Sequence, residues 1–134
     1  MQLEESLKHV LSQKEQVTEK FYTRLLSEYP EVRELFNGVD MKKQALMLSV
    51  ALIASEAHTR DEYPAVEHYL QVLGGQHCDA GVPKEMFPFF RDCLISTIGS
   101  CHSDWTEEHA DAWRAAIDKA TQTMFEGYED NVPS

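Results

Sequence analysis

The stretch Pro64–Pro83, PAVEHYLQVLGGQHCDAGVP, carries the reading on which the fold turns. Val66, Leu70, Leu73 and His77 recur at steps of four, three and four, the spacing of one face of an α-helix. Pro64 fits the first turn, where its missing N–H is not needed, and Gly81-Val82-Pro83 stops the helix. The apolar stripe therefore ends in an imidazole at the point where the chain turns away.

The same period runs through nearly the whole sequence, and no stretch alternates apolar and polar residues as a strand would. Upstream it predicts helices over Leu3–Ser12, Lys14–Glu28 and Pro30–Phe36. Val17, Phe21 and Leu25 form the stripe of the second helix, and Asn37-Gly38 ends the third. Met41–Ala57 is the most apolar segment. Gln44, Leu48, Ala51, Leu52 and Ser55 share one face, and Met47, Val50 and Ala54 make a second apolar side, so this helix is expected to be buried on two sides. Downstream, Pro83–Cys101 carries Met86, Phe90, Cys93, Leu94 and Thr97 on one face. Thr106 can cap the last helix, with Glu107 and Glu108 in its first turn, where the dipole favours acids. That helix is expected to bury His109, Ala112, Trp113, Ala116, Ile117, Ala120 and Met124, its alanines permitting a close crossing. The tail Tyr128–Ser134 is expected to fray. The fold class is all-α, a single domain over residues 1–134 with helices packed compactly rather than in a coiled coil.

Composition limits the functions open to such a domain. The 134 residues are 43% hydrophobic, enough for a full core without disulfides or a structural metal. The net charge of −11 argues against nucleic-acid and anionic-membrane partners, which reward clustered Lys and Arg. No apolar run approaches the ~18 residues of a membrane span. Cys78, Cys93 and Cys101 show no framework spacing, and the acidic, amphipathic start MQLEESLKHVL is unlike a signal peptide. A cytoplasmic location is expected.

Chemistry has few places to sit. Of six histidines, His77 alone closes an apolar stripe before a turn. A flat apolar ligand laid on the stripe would meet a ring nitrogen, and haem iron is commonly held by one proximal histidine. A lone histidine on such a face is more often satisfied core. Tyr22 and Gln44 are hydrogen-bond donors on otherwise oily faces. From spacing alone, Tyr22 reads equally as core with its hydroxyl at the rim, and Gln44 as exposed. The pairs His77-Cys78 and Cys101-His102 lack the short-looped spacing of structural zinc, and nothing marks one cysteine as activated. There is no Gly-rich phosphate loop, G-x-S-x-G or H-E-x-x-H.

Four stretches in order, FYTRLLSEYPEVRELF (Phe21–Phe36), DMKKQ (Asp40–Gln44), LGGQHCDAGV (Leu73–Val82) and DWTEEHADAW (Asp104–Trp113), resemble bacterial single-domain haemoglobins and the globin domain of flavohaemoglobins. The resemblance covers about Val17–Met124. It implies a globin fold around haem b, with His77 as the iron ligand, Tyr22 and Gln44 as distal residues, and Phe36, Leu48 and Val82 against the porphyrin. An alternative register makes Lys42 the distal residue. With no distal histidine in either register, five-coordinate ferrous iron is expected.

The sequence also departs from that family. The tyrosine and glutamate that brace the proximal histidine there fall here at Phe87 and Tyr128, which removes an anionic partner and weakens the case for peroxidase chemistry. A basic residue that pairs a haem propionate in relatives falls at Met47, leaving Lys42, Lys43 or Arg60 as substitutes. Implied ligands are O2, NO or CO. The implied function is reversible O2 binding. The alternatives are nitric oxide dioxygenation with an external reductase, or gas sensing through a partner. A helical interaction domain is the reading without haem.

Overall fold

The computed structural model describes residues 2–130. They form α1 (Gln2–Ser12), α2 (Lys14–Glu28), a 3-10 segment Pro30–Phe36, α3 (Met41–Arg60), α4 (Pro64–Asp79), a 3-10 segment Lys84–Met86, α5 (Phe87–Ser100) and α6 (Glu107–Asp130). No strand occurs among the described residues, and no helix there is long and apolar enough to cross a membrane. Several helix ends fall at the prolines and glycines that mark them in the sequence. Gly38 (φ 74°) and Gly81 (φ 89°) take left-handed turns that a Cβ would strain. The expected helix Pro83–Cys101 instead begins as the 3-10 segment and becomes α-helical at Phe87. Pro88 explains the break: it has no N–H to bond back to residue 84, yet is tolerated in a first turn.

Two apolar clusters make the core. One joins Leu3, Leu7 and Val10 of α1 to Val17, Phe21 and Leu25 of α2, Leu94 and Ile98 of α5, and Trp113 of α6. The other joins Leu70 of α4 to Val82, Phe87, Ala120 and Met124. The expected face of α6 is thus inside. A close helix crossing that the sequence reading does not anticipate is made by glycines. A Cβ on Gly74 of α4 would run into the carbonyl oxygen of Met124, and one on Gly127 of α6 into that of Gln71. These two glycines let the backbones of α4 and α6 touch, which fixes the helix that carries His77.

Two expectations fail for tertiary reasons. α3 is not buried on two sides: Ala45, Ser49, Leu52, Ala54 and Ser55 are inside, but Met47 and Val50 are exposed, as are Leu46 and Ile53. The helices packed on α3 (α1, α2, α4 and α6) leave that stripe uncovered. The expected fraying at Tyr128 does not occur either, since α6 runs to Asp130 and the Tyr128 hydroxyl donates to the Val82 carbonyl at 2.6 Å. The remainder of that tail lies outside the described residues. α3 also runs a turn beyond Ala57, where Arg60 pairs with Glu56 and Lys119 Nζ donates to the His58 carbonyl.

The corner where α1 meets α5 and α6 is polar and ordered. Trp113 Nε1 donates to Ser6 Oγ at 2.8 Å, Ser6 Oγ lies 2.9 Å from His102 Nε2, and His102 Nδ1 lies 2.9 Å from the Ile98 carbonyl. The Ile98 carbonyl only accepts, so His102 Nδ1 carries a proton, and in the neutral ring, which its lowered pKa favours, Nε2 accepts from the Ser6 hydroxyl. Burial holds its pKa below the usual histidine value. The Ile98 bond opposes that, His9 (ring centroid 4.5 Å away) and His109 add to it, and Asp104 opposes it. At α6, Thr106 Oγ1 accepts from the His109 N–H (3.4 Å) while the Thr106 N–H donates to His109 Nδ1 (3.2 Å), a capping box with histidine as the third residue.

A pH dependence follows from the depressed His102. The unfolded chain takes up its proton near the ordinary histidine pKa of ~6.5, which the folded chain resists, so stability is full above that pH and falls below it. The urea midpoint should therefore drop between about pH 7.5 and about pH 5.5, and His102→Gln should reduce that drop. An identical drop in the variant would remove His102 as a source.

Candidate functional site

A cavity of about 330 Å³ lies where the two clusters meet, and residues of both line it. Its walls are mostly apolar. Among the described residues, Arg91 is the one lining residue other than His77 that can carry a positive charge.

α4 brings His77 to one wall. Leu73 and His77, the last two members of the stripe, both line the cavity. His77 Nδ1 lies 2.8 Å from the Leu73 carbonyl, which can only accept, so Nδ1 carries the proton of the neutral ring. Nε2 keeps its lone pair and has no hydrogen-bond partner among the described residues. Burial pushes the His77 pKa down, and the Leu73 bond only partly offsets this. A neutral imidazole with a free lone pair is the form that ligates metal. The turn that follows is anchored twice: the Val82 N–H donates to the His77 carbonyl at 3.0 Å, and Tyr128 holds the Val82 carbonyl. Phe87 packs its ring 5.8 Å from the imidazole, so hydrocarbon and a backbone carbonyl surround His77, and the Tyr128 hydroxyl is engaged elsewhere.

Helices α2 and α3 build another wall. Tyr22 is buried, and Gln44 Nε2 donates to its hydroxyl oxygen at 2.8 Å. The phenol's own proton finds no acceptor among the described residues. Burial raises the Tyr22 pKa more than the Gln44 bond lowers it, so the hydroxyl stays a protonated donor. Phe36 sits edge-on to Tyr22 at 5.1 Å, and Leu48, one turn after Gln44, completes this wall.

The structure thus gathers Tyr22, Phe36, Gln44, Leu48, His77 and Val82 around one cavity. Lys43 is exposed and does not line it, nor does Lys42, whose N–H is taken by Asp40. Met47 stands exposed on the cavity wall, and Arg60 is held by Glu56. Arg91 was missed. It lines the cavity from α5 and is held by Asp92 (2.8 Å) and by Asp118 of α6 (3.0 Å). A signal existed, because Phe87, Arg91 and Leu94 stand at steps of four and three, and all three line the cavity.

The donor set suits haem: an apolar slot, a half-buried neutral imidazole with Nε2 free, and an uncommitted phenol proton. Fold and cavity together define an all-helical protein with an apolar slot of a kind that suits a flat, metal-bearing cofactor. Residues 19–124 match the sequence model of the family described as Globin, and the chain belongs to the globin family. Haem is the cofactor that family membership implies. An uncharacterised globin-like protein of Aquifex aeolicus is 28% identical over 110 residues, covering 82% of this chain and 77% of that protein. A flavohemoprotein of Bordetella pertussis is 31% identical over 113 residues, covering 83% of this chain and 28% of its own length. One from Candida albicans is 33% identical over 86 residues, 63% of this chain and 21% of that protein. The chain thus spans about a quarter of the flavohemoproteins it matches. Among solved structures, a bacterial globin from Campylobacter jejuni superposes with a TM-score of 0.82 at 20% identity, over 97% of this chain and 94% of that one.

Proposed function

We propose that the chain holds haem b through His77 Nε2 and binds O2 reversibly, with Tyr22 donating a hydrogen bond to the bound gas. The observation that carries this reading is the Gln44 Nε2–Tyr22 bond of 2.8 Å on the wall of the cavity that His77 also lines. Because the amide donates to the phenol oxygen, the phenol proton is left for a ligand. When bound, haem supplies a ferrous iron able to take up O2, NO or CO. The chain's residues do the rest. The Leu73 carbonyl sets the tautomer and angle of His77, while Phe36, Leu48 and Val82 keep water out. Gln44 orients Tyr22, and Tyr22 donates. A hydrogen bond in such a dry pocket contributes roughly 1–3 kcal/mol. Tyr22→Phe is therefore expected to speed O2 dissociation about tenfold or more, since about 1.4 kcal/mol is a factor of ten. Stopped-flow displacement by CO measures this, and an unchanged off-rate would remove Tyr22 from the mechanism.

A neutral carbonyl, rather than a carboxylate, as the acceptor for His77 favours reversible binding over peroxide chemistry. The similarity to flavohemoproteins favours a second reading, nitric oxide dioxygenation. Combining NO and O2 into nitrate consumes one electron per turnover, and the described residues provide no source of it. Steady NO consumption should then require an added reductase, with a single turnover in its absence.

A further inference from the structure

The outer face of α3 carries an uncovered apolar row. Leu46, Val50 and Ile53, at steps of four and three, are 60%, 41% and 44% exposed, and none of them lines the cavity. Met47, 50% exposed, borders the row on the side of the cavity. Single exposed apolar residues are ordinary, but a contiguous row along one helix marks an interaction surface.

The two ends of α3 differ in charge: Lys42 and Lys43 outnumber the N-cap Asp40 at one end, and at the other Asp61 and Glu62 leave a negative excess beyond Arg60 and its partner Glu56. Lys42 and Lys43 occupy the first turn, where cations are unfavourable, and neither has an acidic partner among the described residues. Asp61 and Glu62 follow the last turn, where anions are unfavourable. Glu62 reaches only Lys119, at 3.6 Å, and Arg60, the cation at that end, is already held by Glu56 at 2.9 Å. The helix between these ends has 20 residues, a length of about 30 Å.

We propose that this face is the contact between two copies of the chain, α3 packed antiparallel on α3 about a two-fold axis near Val50 and Ile53. Reversal brings Lys42 and Lys43 of each copy to Asp61 and Glu62 of the other while the apolar rows meet between them. The surface is complementary to itself, as a two-fold contact requires. The charge of −11 per chain repels copies at long range, but at physiological salt the screening length is about 8 Å, so contacts across the seam dominate.

Sedimentation velocity on the haem-loaded protein, from micromolar to millimolar concentration, tests this. A dimer is expected, and Val50→Glu should raise its dissociation constant about tenfold or more while leaving the visible spectrum unchanged. The charge swaps Lys42→Glu with Lys43→Glu, and Asp61→Lys with Glu62→Lys, should each weaken the dimer, and all four together should restore it. A monomer throughout, or a dimer indifferent to Val50→Glu, overturns the proposal. Swaps without mutual rescue overturn the antiparallel arrangement.

Discussion

Replacing His77 with alanine is expected to lower haem affinity at least about a hundredfold, equivalent to about 2.7 kcal/mol, with helix content unchanged. The side chain is half-buried at the end of α4 and its one hydrogen bond goes to a carbonyl of the same helix, so truncation breaks no contact between helices through that bond. What disappears is the only imidazole on the cavity wall among the described residues. External imidazole should restore coordination by filling the space left behind. Haem titration followed in the visible spectrum, with circular dichroism as the control for folding, measures both. A variant that keeps wild-type affinity and coordination would remove His77 as the ligand and with it the functional reading.

Gly74→Ala is expected to be the most damaging single methyl added to the chain. The new Cβ would collide with the Met124 carbonyl, and backbone cannot swing aside as a side chain can. Overpacking of this kind costs about 3 kcal/mol or more, which lowers the melting temperature by about 10 °C in a domain of this size. It also pushes α4 away from α6, and His77 lies three residues further along the same helix. Haem affinity should therefore fall together with stability. Gly75→Ala is the control. Its Cβ would stand 3.6 Å from the Gly127 carbonyl, an ordinary contact, and alanine is a better helix former by about 1 kcal/mol. Adjacent glycines should thus respond with opposite signs in thermal melts. Equal responses would mean that the α4–α6 crossing is looser than described.

The helices were legible because their signals are local. The stripe ending at His77, Pro64 at the start of α4, the left-handed Gly38 and Gly81, and the Thr106 cap are set by neighbours within four residues. Pro88 was legible in principle too, since a proline inside a long helical pattern marks a start. The cavity residues were legible only in part. Spacing left Tyr22 and Gln44 open between ordinary core and site. It took a resemblance in four ordered stretches to select them, and the Gln44–Tyr22 bond joins residues 22 positions apart. Arg91 and the Gly74–Gly127 crossing were not foreseen, because each depends on where α6 lies against another helix.

Residue order by itself determined an all-helical chain, the turns at Gly38 and Gly81 and the imidazole that closes one apolar row, because backbone hydrogen bonding acts over three or four positions. Tertiary packing alone decided which side of α3 faces inward, how near α4 comes to α6 and which polar atoms share the cavity. Those outcomes depend on surfaces from distant parts of the chain meeting at van der Waals distance, and the period of any one helix is the same whichever of its sides is covered.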